Sequence, residues 1–277
     1  MHMLQIILLA VIQGAAELLP VSSSAHVIMA ERLMGLDPSA PKMTFLLVML
    51  HTGTMFAVLL YFWPRWKKWN ADFAKMVLVA TAVTGVVGLA LKMFIEKVIL
   101  EHMMGESVGE IEQLFRSAPL LSASLFAVGI LILIAGRADG KNGRNILAPK
   151  VSVLIGFVQG LCLPFRGFSR SGATISTAML AGIPRRLAED FSFALAVLLT
   201  PPVIVLELHR LLKASGAGHM SHGEIGHLIL PGLLGMVFSF ASGMLALRWL
   251  SDWLEHGRWK YFGIYCLFAS LLVFVSI

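Results

Sequence analysis

Gln13 and Glu17 stand four residues apart and Ser23 and His26 three apart, so each pair shares one face of any helix that carries it. A hydroxyl and an imidazole within hydrogen-bond reach suit nucleophilic attack, with Ser23 as nucleophile and His26 as its base. The spacing leaves a phosphohistidine at His26 or an activated water equally open. Glu17 has two uses: it holds an arginine, or it holds a divalent cation, Mg2+ or Ca2+, whose remaining ligands come from a substrate's own phosphates. Farther along, "RGFSRSGAT" groups Gly167, Ser169, Arg170, Ser171, Gly172 and Thr174. Arg170 brings a permanent charge whose planar fork matches phosphate oxygens, or else pairs with a carboxylate such as Glu17 or Asp190. Ser22 and Ser169 are suited to cap helix starts, which carry free amides and a partial positive charge. Two such starts with Arg170 make an anion site, and phosphate is its natural ligand. Ser24, Ser171 and Thr174 have hydroxyls to offer such a ligand, or to their own helix.

These residues must be held somewhere apolar. Of 277 residues, 57% are hydrophobic and 14% charged, where soluble domains carry roughly 25% charged residues, so an integral membrane protein is expected. Six segments are long enough to cross a bilayer as helices: 43 to 62, 73 to 94, 118 to 136, 188 to 209, 226 to 248 and 259 to 277. Pro201 and Pro202 are expected to kink the fourth. Residues 3 to 35 and 150 to 183 are each too long for one helix and are broken in the middle, by Pro20 with Ser22 to Ser24 and by Pro164, Gly167 and Ser169. Each reads as a re-entrant helical hairpin whose break lies inside protein or lines a wet cavity.

The two broken regions resemble each other: both open on Gln-Gly, carry hydroxyls after a proline and close on a glycine. Each precedes three candidate spans, which predicts an all-α membrane protein in a single domain, an inverted-topology repeat of residues 1–148 and 149–277 with its site near the midplane. Basic residues set the orientation. Arg65, Lys67, Lys68 and Lys75, Arg137, Lys141, Arg144 and Lys150, and Arg185, Arg186, Arg248, Arg258 and Lys260 read as cytoplasmic, while Glu96, Glu101, Glu106, Glu110 and Glu112 read as the outer side. Hairpin one then enters from outside. The net charge of +6 is taken as this topology signal and not as a mark of nucleic-acid binding.

Trp63, Trp66 and Trp69 are expected at the interface, and Cys162 and Cys266 as small core hydrophobes. His51 either faces the same cavity or bonds across helices, the second being preferred, and His209, His219, His222 and His227 are expected to form a solvated surface. Gly85 and Gly88 permit close packing, within one chain or between the copies of a homodimer. No cleavable leader precedes the first apolar stretch, so no N-terminal removal is expected.

"QGAAELLPVSSSAH" and "RGFSRSGAT" together resemble the membrane-embedded undecaprenyl pyrophosphate phosphatases, the family whose gain confers bacitracin resistance on bacteria. The first motif is met by Gln13, Glu17 and Pro20 to His26, the second by Ser169, Arg170, Ser171 and Thr174. The resemblance implies a bacterial inner-membrane enzyme, its site open to the periplasm, that recycles a lipid carrier for peptidoglycan and other envelope glycans. Bacitracin would compete for that lipid. The chain departs at Arg166, which stands where the family motif has proline, and in one extra residue before the second tip. The broken helices also suit a transporter or flippase of phosphorylated lipid, and a phosphoenzyme would also suit phosphotransfer to another envelope lipid.

Overall fold

The computed structural model describes residues 2–37, 40–95, 117–137, 147–216 and 222–276. Among them are ten helices and no strand: α1 Met3–Leu18, α2 Ser23–Leu33, α3 Pro41–Trp66, α4 Ala71–Phe94, α5 Ala118–Ala135, α6 Pro149–Cys162, α7 Arg170–Leu180, α8 Arg185–Gly216, α9 His222–Glu255 and α10 Trp259–Ser276. Five contain a stretch long and apolar enough to cross a membrane, in α3, α4, α5, α9 and α10. The sixth expected crossing, 188 to 209, lies within α8. That helix runs through Pro201 and Pro202, opens on the charged Arg185, Arg186, Glu189 and Asp190, and is not among the five. The acidic segment from Glu96 to Glu112, together with Asp139, Lys141, Arg144 and His219, lies outside the described residues, as do the side chains of His222 and His227.

Both broken regions fold as pairs of short helices, α1 against α2 and α6 against α7. Proline removes a backbone donor and pushes the residue before it towards extended backbone; accordingly α1 ends at Leu18, and Leu19 before Pro20 has ψ 152°. Ser22 then caps α2, its Oγ accepting from the Ala25 amide at 3.4 Å, and Ser169 caps α7 by accepting from Gly172 at 3.3 Å. The far ends match as well. Gly35 and Gly182 have φ of +66° and +80°, which only glycine adopts without strain. At each, the next amide reaches back to a carbonyl in the last turn, Leu36 to Glu31 at 2.8 Å and Ile183 to Ala178 at 3.0 Å.

Lipid gives helices no hydrophobic drive to associate, so contact depends on small residues and interhelical hydroxyls. Gly14 of α1 lies against the Ser239 carbonyl of α9, Gly156 of α6 against Ala80 of α4, and Gly129 of α5 against Gly263 of α10. Ser242 donates to the Val11 carbonyl at 2.8 Å, and Thr84 to the Gly156 carbonyl at 3.0 Å. Gly88 packs on Leu163, whereas Gly85 faces open space. Cys162 and Cys266 are buried, free thiols. Of the three expected interfacial tryptophans, Trp63 is exposed, while Trp66 and Trp69 are drawn into a stack that runs from Phe62 to Phe73.

At the C-terminal end of α3, Arg65 contacts Glu189 at 2.9 Å and Asp190 at 2.5 Å, tying α3 to the start of α8. Ser251 of α9 donates to Glu189 at 2.5 Å. Asp190, one of the carboxylates expected for Arg170, is therefore taken by Arg65. Arg65→Leu strands two buried carboxylates and is expected to destabilise by about 3–5 kcal/mol, read as a lowered Tm in detergent; an unchanged Tm would mean that α3 and α8 hold together without the pair.

Candidate active site at the hairpin tips

The breaks of the two hairpins meet. Ser22 Oγ donates to the Arg166 carbonyl at 2.8 Å, Ser171 Oγ donates to the Leu19 carbonyl at 3.3 Å, and Cys266 Sγ of α10 lies 3.3 Å from the Pro20 carbonyl. Ser22 pays for its place with a left-handed backbone, φ +67°, a conformation rare for residues with a Cβ. The cap, the tie to Arg166 and the contact of its carbonyl with His26 together hold it there.

Glu17, one residue before the end of α1, is the centre of the arrangement. Its Oε1 accepts from Arg170 Nη2 at 3.0 Å. Its Oε2 accepts from Ser23 Oγ at 2.6 Å and from Gln13 Nε2 at 3.1 Å, with His51 Nε2 at 3.7 Å. Four elements, α1, α2, α3 and α7, thus converge on one carboxylate. The hydroxyl-to-carboxylate bond is of the short, charge-assisted kind, so the nearest proton acceptor to Ser23 is Glu17.

The expected Ser23 and His26 pair is not formed. His26 Nδ1 lies 2.8 Å from the Ser22 carbonyl, and Nε2 lies 2.6 Å from the Tyr265 hydroxyl, with the two rings stacked at 5.6 Å. A carbonyl only accepts, so Nδ1 carries the proton and Nε2 accepts from Tyr265. Residues three apart share a helix face, but at this helix start the Ser22 carbonyl and a ring from α10 engage the imidazole first. Of the two places open to His51, the structure takes the one facing the site: it stands beside Glu17, with Nδ1 donating to the Leu47 carbonyl at 2.7 Å and Nε2 left facing the carboxylate. The available signal was its place in the middle of an apolar span, where an ionisable side chain is expensive.

The other expected ligand-binding groups divide. Gln13, Ser22 and Ser169 are buried at the tips, and Ser24 is half-buried in the first turn of α2. Thr174 lies deeper. It is buried, donates to the Arg170 carbonyl at 2.8 Å and meets Ser192 at 2.6 Å, so it faces α8 and not the tips. Ser171 is committed to Leu19, and Gly167 and Gly172 are the points where the second tip packs against Leu121, Val128 and Ile132 of α5.

A recess opens beside Glu17 and Arg170 between α3 and α8, lined also by Leu18, Thr54, Met55, Val58, Ala196, Val197 and Thr200. The Mg2+ or Ca2+ expected at Glu17 would take most of its ligands from the substrate's phosphates and from water, because both Glu17 oxygens are engaged by Arg170, Ser23 and Gln13. Among the described residues no three metal-ligating side chains cluster.

The family model of the bacitracin resistance protein BacA matches residues 6–272. The chain is 59% identical to undecaprenyl-diphosphatase 2 of Acinetobacter baylyi, covering 99% of this chain and 97% of that protein. It is 31% identical to the undecaprenyl-diphosphatase of Desulfatibacillum aliphaticivorans, over 100% and 99% of the two chains. A third relative, the undecaprenyl-diphosphatase of Rhodopirellula baltica, is 29% identical over 98% and 97%.

Proposed function

Because the chain belongs to the bacitracin resistance protein BacA family, we infer that it is a multi-pass membrane phosphatase that hydrolyses undecaprenyl diphosphate to the monophosphate and inorganic phosphate. The observation that carries the chemistry is the short bond from Ser23 to Glu17, with Arg170 on the other carboxylate oxygen.

In the reading these contacts support, the terminal phosphate lies against Arg170 and the first-turn amides of α2 and α7, which offset its charge. Ser23 Oγ attacks that phosphorus as its proton passes to Glu17, and His51 adds a second basic group beside the same oxygen. The bond from phosphorus to the bridging oxygen breaks, and undecaprenyl monophosphate leaves. Water then attacks the phosphoserine, passing a proton to His51 Nε2; the bond from phosphorus to Ser23 Oγ breaks as Ser23 recovers its proton from Glu17, and phosphate is released. A phosphohistidine is disfavoured because His26 Nε2 already accepts from Tyr265. Mg2+ or Ca2+, where it takes part, is the counter-ion of the substrate's diphosphate.

The inverted repeat accounts for several otherwise separate facts. Exchanging α1–α5 with α6–α10 turns the α1 and α9 contact into that of α6 and α4, and the α2 and α10 contact into that of α7 and α5. Thr54 and Thr200, which line one recess, stand as far apart in sequence as Gln13 and Gln159. With hairpin one entering from outside, the site faces the periplasm from the bacterial inner membrane, and the Arg65 cluster closes the cytoplasmic end of the α3 and α8 seam. There the enzyme would recycle the carrier for peptidoglycan and other envelope glycans, and bacitracin would compete by holding its diphosphate. A lipid carrier or flippase, the other reading open to the sequence, finds no support in the relatives.

The test is phosphate release from undecaprenyl diphosphate by detergent-purified protein, with and without chelator. Release is expected, and chelator is expected to slow it while leaving the Tm of the substrate-free protein unchanged. No release from folded protein would overturn the phosphatase, and a Tm lowered by chelator would reveal a cation held by the protein itself.

A further inference from the structure

Ser22 and Ser169 are the caps of the second helix in their respective hairpins, yet their backbones differ: φ is +67° at Ser22 and −55° at Ser169. The consequence shows one turn on. At the second tip the Ala173 amide donates to the Ser169 carbonyl at 2.9 Å, whereas at the first tip the His26 amide reaches the Ser22 carbonyl at 3.4 Å, beyond the usual length of such a bond. His26 Nδ1 supplies what that bond lacks, donating to the same carbonyl at 2.8 Å. Ala173, four residues after its own cap as His26 is after Ser22, has no side-chain donor. The tip that carries Ser23 is therefore the strained one, and an imidazole holds it.

That donation depends on where the imidazole keeps its proton. A neutral ring has one N–H. With the proton on Nε2, the Nδ1 lone pair would face the lone pairs of the Ser22 carbonyl and push the turn apart. Which ring nitrogen is protonated is set by the partner of the other, and the partner of Nε2 is the Tyr265 hydroxyl at 2.6 Å, its ring stacked on the imidazole at 5.6 Å. Cys266, the next residue of α10, lies 3.3 Å from the Pro20 carbonyl, so α10 grips the same turn twice. Tyr265 itself stands away from the anion site. It lines a groove between α2 and α10 with His26, Met29, Phe268 and Leu272, which neither Glu17 nor Arg170 borders.

We propose that Tyr265 is a positioning residue of the reaction: its hydroxyl fixes His26 with the proton on Nδ1, His26 holds the Ser22 carbonyl, and the left-handed turn so held aims Ser23 at Glu17. The assignment rests on the phosphatase reading and adds to it a residue that acts through two others.

Two measurements on the full-length protein in detergent test it. In the first, ¹⁵N spectra are recorded on histidine-labelled protein at a pH where imidazole is neutral, with His26→Asn identifying the His26 signals. Wild type should show Nδ1 protonated and Nε2 bare. Tyr265→Phe keeps the stacked ring and deletes only the hydroxyl, and it should move the proton towards Nε2. This readout needs no turnover, so it stands apart from the phosphatase reading, which fails separately if wild type releases no phosphate. In the second, steady-state kinetics with undecaprenyl diphosphate compare Tyr265→Phe with Phe268→Ala, which trims the same groove without touching a hydrogen bond. Tyr265→Phe is expected to lower kcat about 10- to 100-fold, the scale of a small misplacement of an attacking group, with KM and Tm little changed. Phe268→Ala should keep the wild-type kcat. A wild-type proton on Nε2, a tautomer or kcat unaltered by Tyr265→Phe, or equal losses in both variants would overturn the proposal.

Discussion

Ser23→Ala is expected to lower kcat by about 10⁴-fold or more, the range in which removal of an activated nucleophile falls. The substitution deletes one oxygen and leaves the Arg170 and Gln13 contacts of Glu17 in place, so the protein should purify with its wild-type Tm and still bind the lipid. Acid-quenching the wild type during turnover of terminally ³²P-labelled substrate should trap label on Ser23. Label on a histidine after a parallel alkaline quench, which spares phosphohistidine, would give the attack to that imidazole, and substantial turnover by Ser23→Ala with no label on the protein would leave Glu17 with a water as the attacking pair; either result would remove Ser23 from its role. Ser23→Cys is a useful companion. Its thiol needs less help from Glu17, so it should lose less activity than the alanine.

The second large effect is at Arg170. Arg170→Ala removes, among the described residues, the permanent positive charge in contact with Glu17, and an arginine that offsets charge in phosphoryl transfer is worth about 10³–10⁵ in rate. Arg170→Lys should recover little of this, since a point charge does not reproduce the fork that meets the carboxylate on one side and phosphate on the other. Stability and rate should then separate. Arg170→Ala leaves Glu17 without its ion-pair partner, and because the pair is only partly buried the cost should fall below the about 3–5 kcal/mol of a fully buried one. Adding Glu17→Gln to Arg170→Ala should restore much of the Tm and none of the activity. If the double variant were as unstable as Arg170→Ala alone, the arginine would be holding the hairpins together through other contacts. If either variant kept wild-type turnover, the anion site would lie elsewhere.

The hairpins were legible because breaking a helix needs particular residues. Pro20 and Pro164 cannot continue one, Ser22 and Ser169 begin the next, and Gly35 and Gly182 end it in a conformation other residues avoid. The pairing of Arg170 with Glu17 was among the expectations because an arginine in an apolar segment must find an anion. What could not be read was which side chain lies across from which. Helical spacing puts Ser23 and His26 on one face, but it says nothing of the carboxylate that reaches Ser23 from the preceding helix, or of Tyr265, 239 positions later, that claims the imidazole. Of the two uses open to Thr174, its donation to the Arg170 carbonyl is the one within its own helix, while its other partner, Ser192, belongs to a helix that spacing could not name. Spacing could not choose between the two places open to His51, because its neighbour Glu17 comes from α1. The expected bounds of 188 and 209 were too narrow at both ends of α8, Arg185–Gly216, because turns that carry charged and polar residues still propagate a helix even though they contribute nothing to hydropathy.

The ties between the two tips also say something about how the protein is made. Ser22 waits for a carbonyl 144 residues later and Glu17 for an arginine 153 residues later. At a ribosomal rate of about 5–20 residues per second, that interval is roughly 7–30 s. Throughout it the first hairpin has its strained serine and its carboxylate but neither partner, so it cannot yet sit at its final depth without burying an unpaired charge. The first half of the chain is thus an unfinished guest in the membrane, and the second half completes both the fold and the catalyst in one docking event. A truncated or stalled product would be an insertion intermediate for quality control to clear, never a partly active enzyme.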